Sequence, residues 1–179
     1  MRITPRSNRV GRRSRAEGQS LVEFALVLTP LFLILLAIVQ FGFIFNAYIT
    51  ITNATREAAR EASIYVYDRT LSEGANDAAR NAEIRTTFQE SLNLLSPSTP
   101  YFTTTGTWAQ SGDTFTNGDL VVTYVLPGDI ADSNPRTGQT VTVRAQYHQD
   151  LLIPFISAFL PQDGNGRLVL TGEVTMVIN

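Results

Sequence analysis

Glu23 is the residue whose chemistry most needs an explanation. It belongs to the stretch GQSLVEF at residues 18–24, and an uncharged run follows it from Phe24 to Thr55. If that run enters a membrane, an ionised carboxylate a few residues inside the bilayer costs roughly 2.5 kcal/mol or more. We therefore expect Glu23 either to have a partner of opposite charge or to stay among the lipid headgroups.

No other residue pattern indicates catalysis or metal binding. His148 is the single histidine and the chain has no cysteine, which excludes a His- or Cys-rich metal site. His148 near Asp150 fits a polar strand end better than an acid–base pair, and Asp163 with Asn165 lacks the further acids of a calcium loop. The chain also lacks a Gly-x-Ser-x-Gly motif and a phosphate-binding loop. The sequence therefore predicts no enzyme, no cofactor and no metal.

The element that must position Glu23 is the apolar run itself. Its core, Phe24 to Phe45, has 22 residues. As a helix this core is about 33 Å long, and the hydrocarbon layer of a bilayer is about 30 Å thick. A buried helix of a soluble domain is the alternative, but such a helix rarely lacks charge on every face. We therefore predict one membrane-spanning helix.

Charge asymmetry predicts the orientation of that helix. The first 17 residues contain six arginines and one acid, a net charge of +5, and the remaining chain contains eight arginines and fifteen acids, a net charge of −7. A basic segment before a membrane helix stays in the cytoplasm. We therefore expect the N-terminus inside, the C-terminal part outside the cytoplasmic (inner) membrane, and no nucleic acid bound to the arginines.

A cleaved secretory signal would also begin with a basic segment and an apolar run. However, such a run has about 7–15 residues and ends at small residues, whereas this one is longer and ends in FIFNAY at residues 43–48. The pair Arg12–Arg13 lacks the following residues of a twin-arginine signal. Removal of the apolar run is therefore the less favoured interpretation.

A different processing point is indicated before the run. Gly18, four further residues, Glu23 and the aromatic Phe24 resemble the cleavage site of a type IV prepilin, in the form found in the Flp (type IVb) branch. The resemblance implies that a prepilin peptidase cuts between Gly18 and Gln19 on the cytoplasmic side and leaves the helix attached. It also implies that Glu23 pairs with the new amine of Gln19 on a neighbouring subunit.

The stretch NATREAAR at residues 53–60 extends this resemblance to the TadE-like minor pseudopilins of the Tad pilus system. Ala54, Ala58 and Ala62 recur every four residues and predict a small-residue stripe that packs closely against other subunits. A helix-favouring surface composition without a partner is the alternative. The implied partners are the peptidase, other pilin-like subunits and the lipid bilayer.

The remaining residues predict an α+β arrangement. Apolar residues three or four positions apart indicate a helix over residues 71–95, with Thr70 and Glu73 as a capping box. Alternation with a period of two then indicates four strands, at residues 101–108, 120–126, 140–147 and 168–178. We expect a long N-terminal helix, a second helix and a small antiparallel sheet, an arrangement similar to pilin domains by analogy.

One apolar segment has several interpretations. Leu151 to Leu160, LLIPFISAFL, is too short to span a bilayer. It could complete the core, contact a partner subunit or lie on the membrane surface, and the core is the favoured position.

Three segments and two main functions follow. Residues 1–18 form a basic cytoplasmic leader, residues 19–67 a transmembrane and extended helix, and residues 68–179 an exported α+β domain. The favoured function is a minor pilin-like subunit, either in the filament or as a membrane scaffold. The alternative is an uncleaved, single-pass membrane-anchored surface binding protein, and an anchored enzyme is disfavoured because site residues are missing.

Overall fold

A computed structural model describes residues 13–92, 95, 102–104, 106–125 and 136–179. In chain order the elements are α1 (Arg13–Ile64), α2 (Glu73–Ser91), β1 (Ala109–Ser111), β2 (Thr114–Asn117), β3 (Leu120–Val125), β4 (Thr140–Gln149), α3 (Pro154–Ser157) and β5 (Leu168–Val177). The predicted α+β class, with a long apolar helix, a second helix and an antiparallel sheet, is confirmed. The chain divides into two compact units, residues 1–41 and residues 42–179.

The five strands form one antiparallel meander in chain order. Ala145 of β4 lies opposite Leu120 of β3 on one side and opposite Gly172 of β5 on the other. The predicted strands at 120–126, 140–147 and 168–178 are confirmed to within two residues at their described ends, and Leu126 lies outside the described residues. Their apolar faces are buried as the alternation predicts, at Leu120, Val122, Tyr124, Val141, Val143, Ala145, Tyr147, Leu168, Leu170 and Ile178.

The strand predicted over 101–108 is wrong for the part of it that is described, since the sheet begins only at Ala109. The backbone of Thr103 is engaged elsewhere. Its N–H donates to the Asp119 carboxylate at 2.9 Å, and its carbonyl accepts from the Asp119 N–H at 2.9 Å. These contacts fix Thr103 to the β2–β3 turn and take up the groups that a strand would need for its ladder.

α2 begins two residues later than predicted and has a different cap. Ser72 is the N-cap, and its hydroxyl accepts from the Ala75 N–H at 3.3 Å. The predicted capping box is wrong because Thr70 is held by Asp68, whose Oδ1 accepts from the Thr70 N–H at 2.8 Å and from its hydroxyl at 2.7 Å. The apolar side predicted for this helix is confirmed in its second half, where Ile84 and Phe88 are fully buried. It is wrong in the first half, where Ala78 is exposed and the buried positions are the polar or charged residues Asn76, Asp77, Arg80 and Asn81.

The core of residues 42–179 lies between the sheet and the second part of α1. Helix residues on the buried side are small or branched: Ala47, Ile51, Ala54, Ala58, Ala59 and Ala62. At the closest approach, a Cβ added to Gly172 of β5 would lie 2.5 Å from Thr55 Oγ1 and 3.1 Å from the Ile51 carbonyl oxygen. A glycine on the strand and small residues on the helix therefore allow the two backbones to come close together.

Candidate processing and assembly site

Gly18 lies within α1 in open space. A Cβ added there would meet no atom within 4 Å, so the fold does not require glycine at this position. Glycine inside a helix is also less favourable than alanine by about 1 kcal/mol. The small residue at position 18 is therefore explained by something other than packing within the described chain.

Gln19 and Glu23 lie one helical turn apart on α1 and contact each other. Gln19 Nε2 donates to Glu23 Oε1 at 3.1 Å, and both side chains are exposed. This is a neutral donor on a charged acceptor, and pairing with a cation would be stronger. The contact therefore orients the carboxylate of Glu23 without compensating its charge.

Phe24 begins a series of exposed apolar side chains. Phe24 is 64% exposed, and further large exposed apolar residues follow as far as Ile49. Within the described residues, α1 from Gly18 to Ile64 is long and apolar enough, by length and composition, to cross a membrane. This apolar surface indicates a single-pass membrane anchor.

The alanine stripe lies inside the chain rather than on its surface. Ala54, Ala58 and Ala62, which the sequence analysis assigned to packing between subunits, are all fully buried. They belong to the same core as Val143 of β4 and Leu170 of β5. The stripe does provide a close approach, but the element that approaches is the chain's own sheet. A second subunit could reach these alanines only if the domain opened.

The opposite side of this helical stretch is polar. Glu57 and Arg60 lie three positions apart and form an exposed ion pair at 3.0 Å. Next to it, a groove of about 410 Å³ extends from Asn46 past Asn53 to Ser91 at the end of α2. Between residues 50 and 63, the surface that α1 leaves to other molecules is therefore this polar side.

The glycine, the glutamate, the apolar run, the alanine stripe and the ion pair all lie on α1, between Gly18 and Ala62. The model of the TadE-like protein family matches residues 18–60. Residues 18–60 are TadE-like. This match confirms the resemblance that the sequence indicated, and we call residues 18–60 the TadE-like segment. No curated protein and no solved structure matches the chain.

The TadE-like segment ends inside α1, so α2 and the whole sheet lie outside the match. It covers 43 of the 179 residues, counted from 18 to 60 inclusive. Its first residue is Gly18, and its last is Arg60 of the exposed ion pair. The match thus includes every residue assigned to processing, and two of the three alanines of the stripe.

The sequence analysis missed a buried charged network in residues 42–179. Nε and NH2 of Arg136 donate to the two carboxylate oxygens of Asp77, each at 2.9 Å. NH1 of Arg80 lies 3.7 Å from the same carboxylate. Both guanidinium groups lie over the ring of Tyr124, at 4.6 Å for Arg136 and 5.6 Å for Arg80. Asp77 and Arg136 are 59 positions apart, so no local spacing could have indicated the pair.

The protonation of this network is fixed by its surroundings. Burial lowers the pKa of Arg136, but the hydrogen bonds and charges of Asp77 and Asp113 together outweigh burial, so that the pKa is raised overall. Burial also raises the pKa of Tyr124 well above its usual range, and the Tyr124 hydroxyl donates to Asn81 Oδ1 at 2.7 Å. Arg136 therefore stays charged and Tyr124 stays neutral, which suits a structural role better than proton transfer.

His148 contacts two carboxylates, neither of which is the neighbouring acid considered from the sequence. Its Nδ1 lies 2.7 Å from Asp163 Oδ2, and its Nε2 lies 3.4 Å from Asp119 Oδ1. The two nitrogens thus face different acids, and the histidine connects the β2–β3 turn to the connection before β5. Among the described residues no group of three His, Cys, Asp or Glu is arranged to hold a metal ion.

Asp163 organises the turn before β5. Its Oδ1 accepts from the Asn165 N–H at 2.8 Å and from the Arg167 N–H at 2.9 Å. The Arg167 hydrogen bond is the main cause that lowers the pKa of Asp163, and the bonds from Asn165 and His148 act in the same direction against burial. The Asp-Gly-Asn-Gly sequence therefore forms a hydrogen-bonded turn.

Proposed function

We propose that the protein is a minor pilin-like subunit of a Tad (Flp, type IVb) pilus or a related secretion apparatus, matured by a prepilin peptidase between Gly18 and Gln19. The observation that carries this proposal is the TadE-like match, which begins at Gly18. α1 continues from this point into the core of residues 42–179, so removal of residues 1–18 leaves the folded domain attached to its anchor.

The environment of Gly18 supports cleavage at this position. Packing does not require glycine at position 18. A peptidase that accepts only a small residue before the cut explains why glycine is present there. The peptide bond that would be cut lies inside α1, so the helix must open locally before it can enter an active site. Glycine facilitates such opening because it weakens the helix.

Cleavage would change the partner available to Glu23. Gln19 would become the first residue and carry a positively charged α-amine in addition to its side-chain amide. The Gln19 side chain that contacts Glu23 in the uncut chain makes only a neutral contact. In an assembly, the amine of a neighbouring subunit replaces it with a charge-assisted bond.

The proposed location is the inner membrane, with the leader in the cytoplasm and residues 46–179 outside. The leader charge of +5 supports this orientation. The proposed partners are the prepilin peptidase and other pilin-like subunits, and the polar side of α1 around Asn53 and Glu57 is the surface available to them.

An uncleaved, membrane-anchored surface binding protein is the second candidate function. A cleft of about 260 Å³ between α2 and the first strands supports it. Gly74 and Ala78 leave one wall without large side chains, and Trp108 lines the cleft. Asn81 also lines it, and its Nδ2 is buried with no hydrogen-bond partner in the described part of the chain. Processing separates this function from the first.

The test is a pair of glycine substitutions in one helix. Gly18→Leu should block the cut, so that the leader stays attached in cells that contain the peptidase. Gly42→Leu is the matched control, because Gly42 also lies in α1 with no atom within 4 Å of an added Cβ. Mass spectrometry of the membrane-extracted chain should find Gln19 as the first residue of the wild type and the control, and Met1 as that of Gly18→Leu. A wild-type chain that still begins at Met1 would contradict the proposal.

A further inference from the structure

The connection between β4 and β5 carries large apolar side chains on its outer side. Leu152 is 66% exposed and Phe159 is 76% exposed. Ile156 of the short helix α3 is 7% exposed, so this connection also has an inner, buried side. From Leu151 to Gln162 it contains no charged residue. The segment therefore only partly fulfils the core position favoured from the sequence.

Two contacts determine which end of the domain this connection occupies. Gly172 of β5 lies against Ile51 and Thr55 of α1, and the Asn179 N–H donates to the Ser63 carbonyl at 3.2 Å. Both chain segments therefore advance in the same direction. The chain advances seven residues from Gly172 to Asn179, and over the same distance α1 advances about ten residues, from the level of Ile51 and Thr55 to Ser63. Such a ratio is possible when the helix axis is inclined to the strand, since a strand rises more per residue than a helix.

The same ratio between strand and helix residues shows which part of α1 lies level with the start of β5. Leu168 is four residues before Gly172, which corresponds to roughly six helical residues and brings it level with about Ala47. Ala47 and Leu168 indeed belong to the same core, and Ile44 packs against it. The connection that precedes Leu168 therefore lies at the end of the domain where α1 enters it through Gly42.

We propose that the outer side of the β4–β5 connection, through Leu152 and Phe159, inserts into the headgroup layer of the bilayer that α1 spans. This inference rests on the membrane anchoring included in the proposed function. The apolar core of α1 predicted from the sequence ends at Phe45, close to the level of the connection. The connection thus lies at the same end of residues 42–179 as the exposed apolar side chains of Phe43 and Phe45.

The chemistry of the connection fits a lipid surface. Its uncharged stretch is too short to span a bilayer, so it lies along the surface. The acid that follows this stretch, Asp163, turns inward to His148 and to two backbone N–H groups of its own turn. Insertion of Leu152 and Phe159 therefore does not bring the Asp163 carboxylate into the apolar layer, and it removes two exposed apolar side chains from water.

The absence of cysteine allows single labels to be placed on the full-length chain. Phe159→Cys and Leu152→Cys, each carrying a nitroxide, are reconstituted into vesicles of phosphatidylcholine and phosphatidylglycerol. Phe32→Cys reports on the anchor. Val177→Cys is the matched control, since Val177 is a 56% exposed apolar residue at the opposite end of β5. Collision rates are measured with oxygen, which enters lipid, and with a nickel chelate, which stays in water.

We expect oxygen collisions to exceed nickel collisions severalfold for the labels at 152, 159 and 32, and the ratio to reverse at 177. If nickel collisions exceed oxygen collisions at 152 and 159 but not at 32, the proposed membrane contact is wrong and the membrane anchor is retained. A water-like rate at 32 would overturn both. If the excess of oxygen over nickel collisions at 159 disappears at a much lower protein-to-lipid ratio, this surface contacts a second copy of the chain. That result would also contradict the proposal.

Discussion

Residues 18–41 and residues 42–179 differ in what fixes their side chains. In the first region, Gly18 lies in open space, Glu23 accepts a hydrogen bond from the neutral amide of Gln19, and large apolar side chains are exposed along α1. In the second region, the same helix buries small side chains against a sheet, and charged groups are paired in the interior. The residue types of the first region are thus explained by what surrounds the chain, and those of the second region are explained by packing within the chain.

This contrast predicts two separable kinds of mutant. Substitutions in the first region should alter processing or assembly and leave the stability of the domain unchanged. Substitutions in the second should lower that stability and leave processing unchanged. Each prediction below tests one side of the contrast.

The largest loss of stability is expected for Asp77→Asn. Asp77 is the carboxylate between Arg136 and Arg80, and breaking a buried ion pair costs on the order of 3–5 kcal/mol. We expect the low end of that range because Asp113 lies 3.4 Å from Arg136 and keeps part of the compensation. Denaturant unfolding of the full-length chain in detergent, followed by the fluorescence of Trp108, measures the change.

Glu57→Gln is the control for this prediction. It removes a carboxylate from the exposed pair with Arg60, and such pairs contribute about 0–1 kcal/mol. Equal losses for Asp77→Asn and Glu57→Gln would show that the buried network does not stabilise the domain. Cleavage after Gly18 should be normal in both variants.

The largest effect in the first region is expected for Glu23→Gln. In an assembled subunit this change leaves a neighbour's amine at Gln19 without its counter-ion, at a cost of on the order of 3–5 kcal/mol if the pair is fully buried and less if water reaches it. Such a cost weakens assembly about a hundredfold or more. Processing should persist at least in part, because the cut lies five residues before Glu23. Mass spectrometry reports the cut, and co-purification with other pilus subunits reports assembly.

Unfolding of the Glu23→Gln variant is the control for its effect on assembly. The contrast requires that the free energy of unfolding of residues 42–179 stays unchanged while assembly falls. Normal piliation in this variant would show that the carboxylate is not an assembly contact.

A smaller loss of stability is expected for Gly172→Ala. The new Cβ would lie 3.1 Å from the Ile51 carbonyl oxygen and 2.5 Å from Thr55 Oγ1, so β5 must move away from α1. Overpacking of this kind costs about 1–3 kcal/mol. Gly164→Ala is the control, since nothing lies within 4 Å of its added Cβ. Thermal unfolding of both variants would reveal the difference, and equal melting temperatures would refute the close approach.

The smallest effect concerns acid pH. The pKa of Asp163 is lowered in the folded chain, chiefly by the Arg167 N–H. Its contribution to stability is therefore present above the unfolded pKa of about 4 and is lost as the pH falls through the lower, folded value. Asn at position 163 keeps an acceptor for the turn but does not titrate. Melting temperatures below about pH 4 should thus fall less steeply for Asp163→Asn than for the wild type, and identical slopes would be evidence against this role.

Local patterns in the sequence were sufficient for most elements of the fold. A period of two identified β3, β4 and β5, because each of these strands buries one face more fully than the other. The pattern failed at 101–108, where alternation is equally present but the backbone of Thr103 is bonded to Asp119. Alternation shows that a strand is possible, whereas the available partners decide whether one forms.

The sequence by itself determined the features that depend on neighbouring residues: the uncharged length of α1, the charge of the leader, the spacing of Gly18 and Glu23, and the TadE-like character of residues 18–60. Only the tertiary structure decided what each surface faces. The stripe at Ala54, Ala58 and Ala62 could equally have packed against another subunit, and it packs against the chain's own sheet. Asp77 meets Arg136, and His148 meets Asp119, across long separations in sequence. A periodic pattern specifies that one face is small or apolar, but the identity of its partner depends on contacts between distant segments, which no local spacing encodes.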